Sequence, residues 1–380
     1  MEKTLDLASA KNQLLLNPRL PGETATLFKE AWLKLVESSM SDQVGIATSG
    51  SSGDSFGKLI VLSKKAILCN AQAVNEHFKS HSRDVWLKTL PSFHVGGIGI
   101  FARAFLSGAK VVESVAQHWQ PEDFYRELGQ SGATLLSLVP TQLFDLVQLG
   151  LRAPCSLRAV IIGGGRLEKT LHAKSLELGW PSFVSYGFTE CASQVATASC
   201  AEDERPKVLS HAEIKIIEGD RIAVRSSALL TAQISFTEGG AVLTDPKSDH
   251  WFITEDRGAL LDDQTLTIAG RTIDFVKIGG EGVLLSRLEG QLEIVRQEFP
   301  GIDCAILAAE DGRLGARIVL LSTASEEKTN LIVSQFNRLV LPFERVRKSF
   351  RVAEIPRSEL GKLLRSQALR LVGLEPVAYG

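Results

Sequence analysis

Thr48-Ser49-Gly50-Ser51-Ser52-Gly53-Asp54-Ser55-Phe56-Gly57-Lys58 stands between two short apolar runs, 44–47 and 59–62. Its glycines let backbone amides wrap an anion, its hydroxyls add donors, and Lys58 supplies a point charge for phosphate oxygens. A flexible Gly/Ser turn has the same composition, so a phosphate loop and a plain turn are both open readings. A Walker A loop is excluded, because three residues separate Gly53 from Gly57 and Leu59 follows the lysine where a magnesium-binding Ser or Thr is required. The two runs at 44–47 and 59–62 and the apolar runs at 85–90, 109–112, 134–139, 158–162 and 183–186 alternate with helical patterns such as 26–38, 121–129 and 168–178. That alternation predicts α/β layering with a largely parallel sheet.

The pattern changes after residue 201, where 211–217, 221–225, 251–254 and 265–268 read as short strands of a small β-rich subdomain. Past Gly270 a helix (286–298), strands (304–308 and 316–322), a helix (326–339) and a strand (349–353) predict a small C-terminal α+β domain. The expected division is therefore 1–269 and 270–380, the second part within the usual domain range.

The 380 residues carry 42 Lys plus Arg against 44 Asp plus Glu. A net charge of −2 lacks the basic excess that favours nucleic acid, which leaves small ligands or proteins as partners. Five cysteines without a C-x-x-C pair suggest neither a disulfide framework nor a zinc ribbon. The start, Met1-Glu2-Lys3-Thr4-Leu5-Asp6, shows no signal-peptide run, and no stretch approaches the roughly 20 apolar residues that span a bilayer. A soluble, cytoplasmic protein with no membrane partner is expected.

Three further patterns invite chemistry. Gly97-Ile98-Gly99-Ile100-Phe101-Ala102 fits a permissive dinucleotide fingerprint, yet Glu113 follows Gly97 by 16 positions, short of the roughly 20 expected for a ribose ligand; helix packing through small residues is the favoured reading. His77 and His81 have i, i+4 spacing without an evident third metal ligand, and read as a solvated helix face. Gly163-Gly164-Gly165 closes an apolar run and admits either a tight turn or the close approach of a flat ligand.

Taken in order, these segments resemble the acyl-adenylate-forming (AMP-binding) superfamily, which joins carboxylates to AMP and then usually to a thiol. The likeness runs from about residue 44 to 367. Thr48 to Lys58 resembles its phosphate loop, and Leu90-Pro91-Ser92-Phe93-His94-Val95-Gly96-Gly97 its "LPxFHxxG" segment. Gly163-Gly164-Gly165 resembles its adenine-side glycines and Tyr186-Gly187-Phe188-Thr189-Glu190 its "YGxTE" motif. Trp251-Phe252-Ile253-Thr254-Glu255-Asp256 resembles "WxxTGD", Gly270-Arg271 opens the hinge segment, and Pro356-Arg357-Ser358-Glu359-Leu360-Gly361-Lys362 resembles "PRTxxGK". Ser92 to Gly97 with Leu106-Ser107-Gly108-Ala109, Ser137-Leu138-Val139-Pro140-Thr141-Gln142-Leu143, and Thr189-Glu190-Cys191-Ala192-Ser193-Gln194 are most similar to the o-succinylbenzoate-CoA ligase family of menaquinone biosynthesis.

The resemblance implies the adenylate-forming fold, shortened at its N-terminus, with a homodimer contact as the expected cover for surface exposed by that shortening. It implies Mg-ATP, a carboxylic acid and CoA as ligands, with acyl-AMP formed first and a CoA thioester second. Thr48, Ser49, Gly50, Ser51, Ser52, Gly53 and Lys58 would hold phosphates, Gly163, Gly164, Gly165, Tyr186 and Gly187 the adenine, and Asp256 with Arg271 the ribose. Glu190 would bind magnesium, Thr189 the α-phosphate, and Lys362 would bridge the acid and the α-phosphate as the main catalytic residue. His94 and Ser193 would line the acyl pocket, His94 gating thiol entry, and Gly279 and Gly280 would line the CoA tunnel of a rotated C-terminal domain. Packed core roles for His94 and Ser193 stay open. Another aryl or acyl acid, or a relative that binds without completing the reaction, are the alternative functions. Glu255 stands where the family has glycine, and Ile273 at the hinge position.

Overall fold

Leu135–Leu138 and Ala159–Ile162 are buried along their whole length, as befits strands of a parallel sheet with both faces covered. The computed structural model describes residues 5–20, 22–48, 57–114, 119–237, 239–261, 264–271, 275–278, 281–311, 314–359 and 361–377. Its seven-stranded sheet runs in the order Pro206–Val208, Ser193–Ala198, Ser182–Phe188, Ala159–Ile162, Leu135–Leu138, Val85–Lys88, Lys110–Glu113. The last five are parallel, and Ser193–Ala198 and Pro206–Val208 extend the edge in antiparallel pairing. Alternate residues part to opposite faces, as a strand period of 2 requires. Leu87, Leu136, Leu138, Val160 and Ile162 pack with Phe124, Leu128, Leu143 and Leu146 of helices Pro121–Ser131 and Pro140–Gln148. Trp86, Leu135, Ala159 and Ile161 pack with Val74, Phe78, Ile100 and Ala104 of helices Lys64–Phe78 and Val95–Ser107.

The runs at 44–47 and 59–62 belong to a different sheet from the later ones. They form Gln43–Thr48 and Lys58–Ser63, antiparallel neighbours in a five-stranded sheet with Gln13–Leu15, Ala232–Thr237 and Gly240–Thr244. Helices Lys64–Phe78 and Val95–Ser107 also give Ile67, Ala71, Ile98 and Ala102 to the core built on Val44, Ile46, Ile60 and Leu62. Both helices therefore lie between two sheets. A helix in that position must be apolar nearly all round, and Arg103 is the only charged residue of Val95–Ser107.

The expected β-rich subdomain is a four-stranded sheet in the order Ala212–Ile217, Arg221–Ser226, Phe252–Leu260, Leu266–Arg271. The chain divides into two compact units, Met1–Thr254 with Gly258–Thr267, and Glu255–Arg257 with Ile268–Gly380. In the second unit the sheet order is Cys304–Asp311, Gly315–Ser322, Val346–Arg351. Helices Leu285–Arg296 and Glu326–Leu339 cover the face of Ile306, Ile318 and Leu320, and Arg365–Leu371 covers that of Leu307, Val319 and Leu321. The N-terminal helix expected at 26–38 is an α-helix, Gly22–Trp32, that continues as a π-helix, Leu33–Glu37. Among the described residues no helix is long and apolar enough to cross a membrane.

At the amino ends of the parallel strands, Arg158 grips Asp84 with Nε and Nη2 at 2.8 and 2.7 Å and donates from Nη1 to the Phe78 carbonyl at 2.6 Å. Burial pushes the Asp84 carboxyl up, but hydrogen bonds from Arg158, the His81 amide and Thr134, with the Arg158 charge, hold it at about 2. Arg158→Ala strands a buried carboxylate and should lower the unfolding free energy by about 2–3 kcal/mol, the partial exposure of Arg158 included. A shift of the urea midpoint at neutral pH measures this. Because the folded pKa lies below the ordinary 3.8, the contribution is complete above that value and lost as pH falls through about 2. The variant should lack this acid-side loss.

Candidate active site

Parallel strands send their connections out from one edge, and in open α/β sheets ligands bind outside the carboxyl ends. Leu90 to His94 follow Val85–Lys88, Val139 and Pro140 follow Leu135–Leu138, Gly163 to Gly165 follow Ala159–Ile162, and Thr189 and Glu190 follow Ser182–Phe188. The glycine turn is tight: the Gly163 amide donates to the Leu138 carbonyl at 3.1 Å, Ser185 Oγ donates to the Ile162 carbonyl at 2.8 Å, and Gly164 has φ +78°. Gly164 and Gly165 remain exposed, so the turn leaves a flat surface open. Half-buried Tyr186 borders an aromatic row, with its ring 6.0 Å from Phe188, which stacks on Phe252 at 5.6 Å.

Thr189, Glu190 and Ser193 sit in a hairpin with an irregular register. Tyr186 pairs with Ala196 but Gly187 with Gln194. A Cβ at Gly187 would stand 1.9 Å from the Ser193 carbonyl oxygen, so only glycine fits. Ala192 and Ser193 take positive φ of 56° and 141°, a strained choice for side-chain-bearing residues. Buried Asn70 holds them there, its Nδ2 donating to the Cys191 and Gln194 carbonyls at 3.1 and 2.7 Å, while the Leu230 amide donates to the Glu190 carbonyl at 2.7 Å.

Thr48 and Lys58 are register partners at the ends of their strands, both half-buried, with Gly57 at φ +77° beside them. Thr48 Oγ1 donates to the Lys58 carbonyl at 3.4 Å. Ser49, Gly50, Ser51, Ser52 and Gly53 lie outside the described residues, as do Ile273, Gly279 and Gly280. His94 is the half-buried N-cap of Val95–Ser107, its ring 4.7 Å from Phe93. A Cβ at Gly97 would stand 2.1 Å from the Pro91 carbonyl oxygen. Gly97 thus serves the packing of the helix start on its preceding loop, and the dinucleotide reading lapses. The expected solvated face at His77 and His81 is also corrected. His77 is half-buried with Nε2 2.9 Å from the Ala198 carbonyl, and the helix stops at Phe78, leaving His81 off it.

Arg103 is the residue that motif reading missed. It is 1% exposed, its guanidinium lies 5.5 Å from the centre of the Trp86 ring, and a Cβ at Gly99 would stand 2.9 Å from Nη2. Among the described residues it meets no carboxylate. Nη2 donates to Ser193 Oγ at 3.4 Å, and Nε is buried without a partner. Burial lowers its pKa to about 10, which still leaves it cationic at neutral pH. A buried charge without a counterion is costly, and this one adjoins Ser193.

Asp256, Arg271 and Lys362 belong to the second unit. Asp256 and Thr254 are buried on one face of Phe252–Leu260, and Glu255 is exposed on the other. The extra negative charge thus points away from the aspartate, as strand alternation requires. Arg271 ends the strand Leu266–Arg271. Lys362 is exposed on a tight loop in which the Ser358 amide donates to its carbonyl at 2.7 Å.

A family model described as AMP-binding enzyme matches residues 36–225. The chain belongs to the AMP-binding enzyme family. Relatives named 2-succinylbenzoate–CoA ligase include one from Bacillus cereus, 26% identical over 352 residues, covering 86% of this chain and 69% of the relative. Another, from Salmonella typhimurium, is 31% identical over 295 residues, covering 77% and 60%; the chain thus spans about two thirds of their length. The structure of o-succinylbenzoate CoA synthetase from Bacillus subtilis in complex with the acyl-adenylate intermediate matches with TM-score 0.77 at 23% identity, covering 94% of this chain and 82% of that one. The same enzyme with ATP and magnesium ion gives 0.71 at 24%, covering 86% and 69%. The fold of the acyl-adenylate complex is therefore present over 94% of this chain.

In this AMP-binding chain the hairpin geometry makes a direct prediction. Gly187→Ala must displace the Ser193 backbone and should cost about 1–3 kcal/mol of stability, with loss of the thermal shift that Mg-ATP gives the parent. Retention of both the melting temperature and the ATP response would contradict the close approach.

Proposed function

We propose that the chain is an ATP-dependent acid–CoA ligase that forms an acyl-adenylate and then a CoA thioester, with o-succinylbenzoate as its acid. The observation that carries the substrate is Arg103. An acid with a second carboxylate brings the missing counterion to a buried guanidinium, at a place where a monocarboxylic acid leaves it uncompensated. Ser193 steadies the guanidinium, and His94 opens the same helix.

In this reading Thr48, Lys58 and the loop Ser49, Gly50, Ser51, Ser52 and Gly53 hold the β- and γ-phosphates. Gly163, Gly164, Gly165, Tyr186 and Gly187 take the adenine, and Asp256 and Arg271 the ribose. Adenylation brings a carboxylate against a polyphosphate, so the site must neutralise charge and align the attack with the departing pyrophosphate. Thr189 and Lys362 do so at the α-phosphate. Among the described residues no three His, Cys, Asp or Glu gather to cage a metal. That fits magnesium that arrives on ATP and takes one carboxylate, Glu190, besides phosphate oxygens and water. Gly279 and Gly280 line the path of the CoA thiol. All five cysteines are free thiols, in keeping with a cytoplasmic step of menaquinone biosynthesis.

Pyrophosphate release from Mg-ATP across a panel of acids, with and without CoA, tests this reading. Steady release with o-succinylbenzoate that requires CoA is expected, and no release with any acid would sink it. Lys362→Ala should abolish pyrophosphate release while leaving CoA transfer onto preformed acyl-adenylate largely intact. Arg103→Met should raise the KM for o-succinylbenzoate by at least about 30-fold, the effect of removing one partner of a buried charge pair, and leave the KM for ATP near its parent value.

A further inference from the structure

The lysine loop of the second unit is built around one guanidinium. Arg357 Nε and Nη2 donate to Asp303 Oδ2 and Oδ1 at 3.1 and 2.8 Å, a two-pronged grip on one carboxylate. Its remaining nitrogen, Nη1, donates to the Gly361 carbonyl at 3.3 Å, one residue before Lys362. Asp303 is itself anchored at the start of Cys304–Asp311. Its amide donates to Thr323 Oγ1 at 3.1 Å, its carbonyl accepts from the Thr323 amide at 3.0 Å, and Arg296 lies 3.9 Å from its carboxylate. The loop then closes on itself. The Gly361 amide donates to the Ser358 carbonyl at 2.8 Å, the Lys362 amide donates to Ser358 Oγ at 3.1 Å, and Gly361 takes the left-handed φ of +73°.

A lysine carries its charge on a flexible four-carbon stem, so the place its ammonium reaches depends on where its backbone is held. Here the Arg357 side chain ties that backbone by hydrogen bonds to the sheet of the same unit, beside the packing of Leu363 on the same sheet. We propose that Arg357, fixed by Asp303, is the positioning residue of the adenylation step, setting the backbone from which Lys362 reaches the acid and the α-phosphate. The proposal rests on the role of Lys362 stated above. It differs from a merely structural brace in one consequence: it concerns only the half-reaction that uses Lys362.

The test uses the full chain with Arg357→Ala, Arg357→Lys, Asp303→Asn and Lys362→Ala. Pyrophosphate release with o-succinylbenzoate reads adenylation, and CoA consumption with preformed o-succinylbenzoyl-adenylate reads thioester formation. Arg357→Ala should lower the adenylation kcat about 10–100-fold, the usual effect of misplacing a reacting group by an ångström, with the KM for ATP and the thioester step unchanged. Arg357→Lys should recover little, because a point charge does not span two carboxylate oxygens and a carbonyl. Asp303→Asn should fall between them. Arg357→Ala added to Lys362→Ala should slow adenylation no further. Equal loss of both half-reactions would reduce Arg357 to a brace and overturn the proposal, as would full adenylation by Arg357→Ala when Lys362→Ala has none. Adenylation retained by Lys362→Ala would refute the underlying role of the lysine, and the proposal falls with it.

Discussion

The Ser193 carbonyl occupies the space that any side chain at position 187 would fill, and the arrangement of the first unit's site depends on that contact. It breaks the register between Ser182–Phe188 and Ser193–Ala198, and it carries Ala192 and Ser193 into positive φ. Each such residue costs on the order of 1–3 kcal/mol and persists only where neighbours over-determine it. Asn70 and Leu230 do so through three hydrogen bonds, to the Glu190, Cys191 and Gln194 carbonyls. Tyr186, Thr189, Glu190 and Ser193 then project from a backbone that has no slack. Burial keeps His211, beside Asn70 at 3.2 Å, at about 4, so the clamp stays uncharged at neutral pH.

The second constraint is the position of Val95–Ser107 between two sheets. Only Phe105 and Leu106, near the helix end, are exposed, and Arg103 lies buried facing Trp86 and Ser193 in a setting where attraction to an anion is little screened. In the proposed reading, the same burial that makes a guanidinium without a carboxylate partner among the described residues expensive would make it selective, because a ligand without the matching carboxylate leaves that cost in place.

Much of this was legible in residue order. The apolar runs at 134–139 and 158–162 became strands because buried parallel strands are apolar throughout, and the ordered motifs led to the fold and to most of the proposed site. The separation of 44–47 and 59–62 into their own sheet was not legible, since its partner Ala232–Thr237 is distant in sequence. Val346–Arg351 was expected at 349–353 because Arg347 and Lys348 are exposed on the strand and mask its apolar period. Arg103 escaped because a lone arginine usually marks a surface. The available signal was its isolation in an otherwise uncharged helix of 13 residues. Asn70 likewise looked like any polar helical residue, and only the fold shows the carbonyls it holds.

The central claim is that a buried cation on an apolar helix selects the acid. It is tested most directly by binding of two non-hydrolysable acyl-adenylate analogues that differ only in whether the second carboxylate is free or methyl-esterified. The account predicts that esterification weakens binding at least about 30-fold, or about 2 kcal/mol, and that Arg103→Met removes the difference. Equal affinity of the two analogues for the parent protein would contradict it.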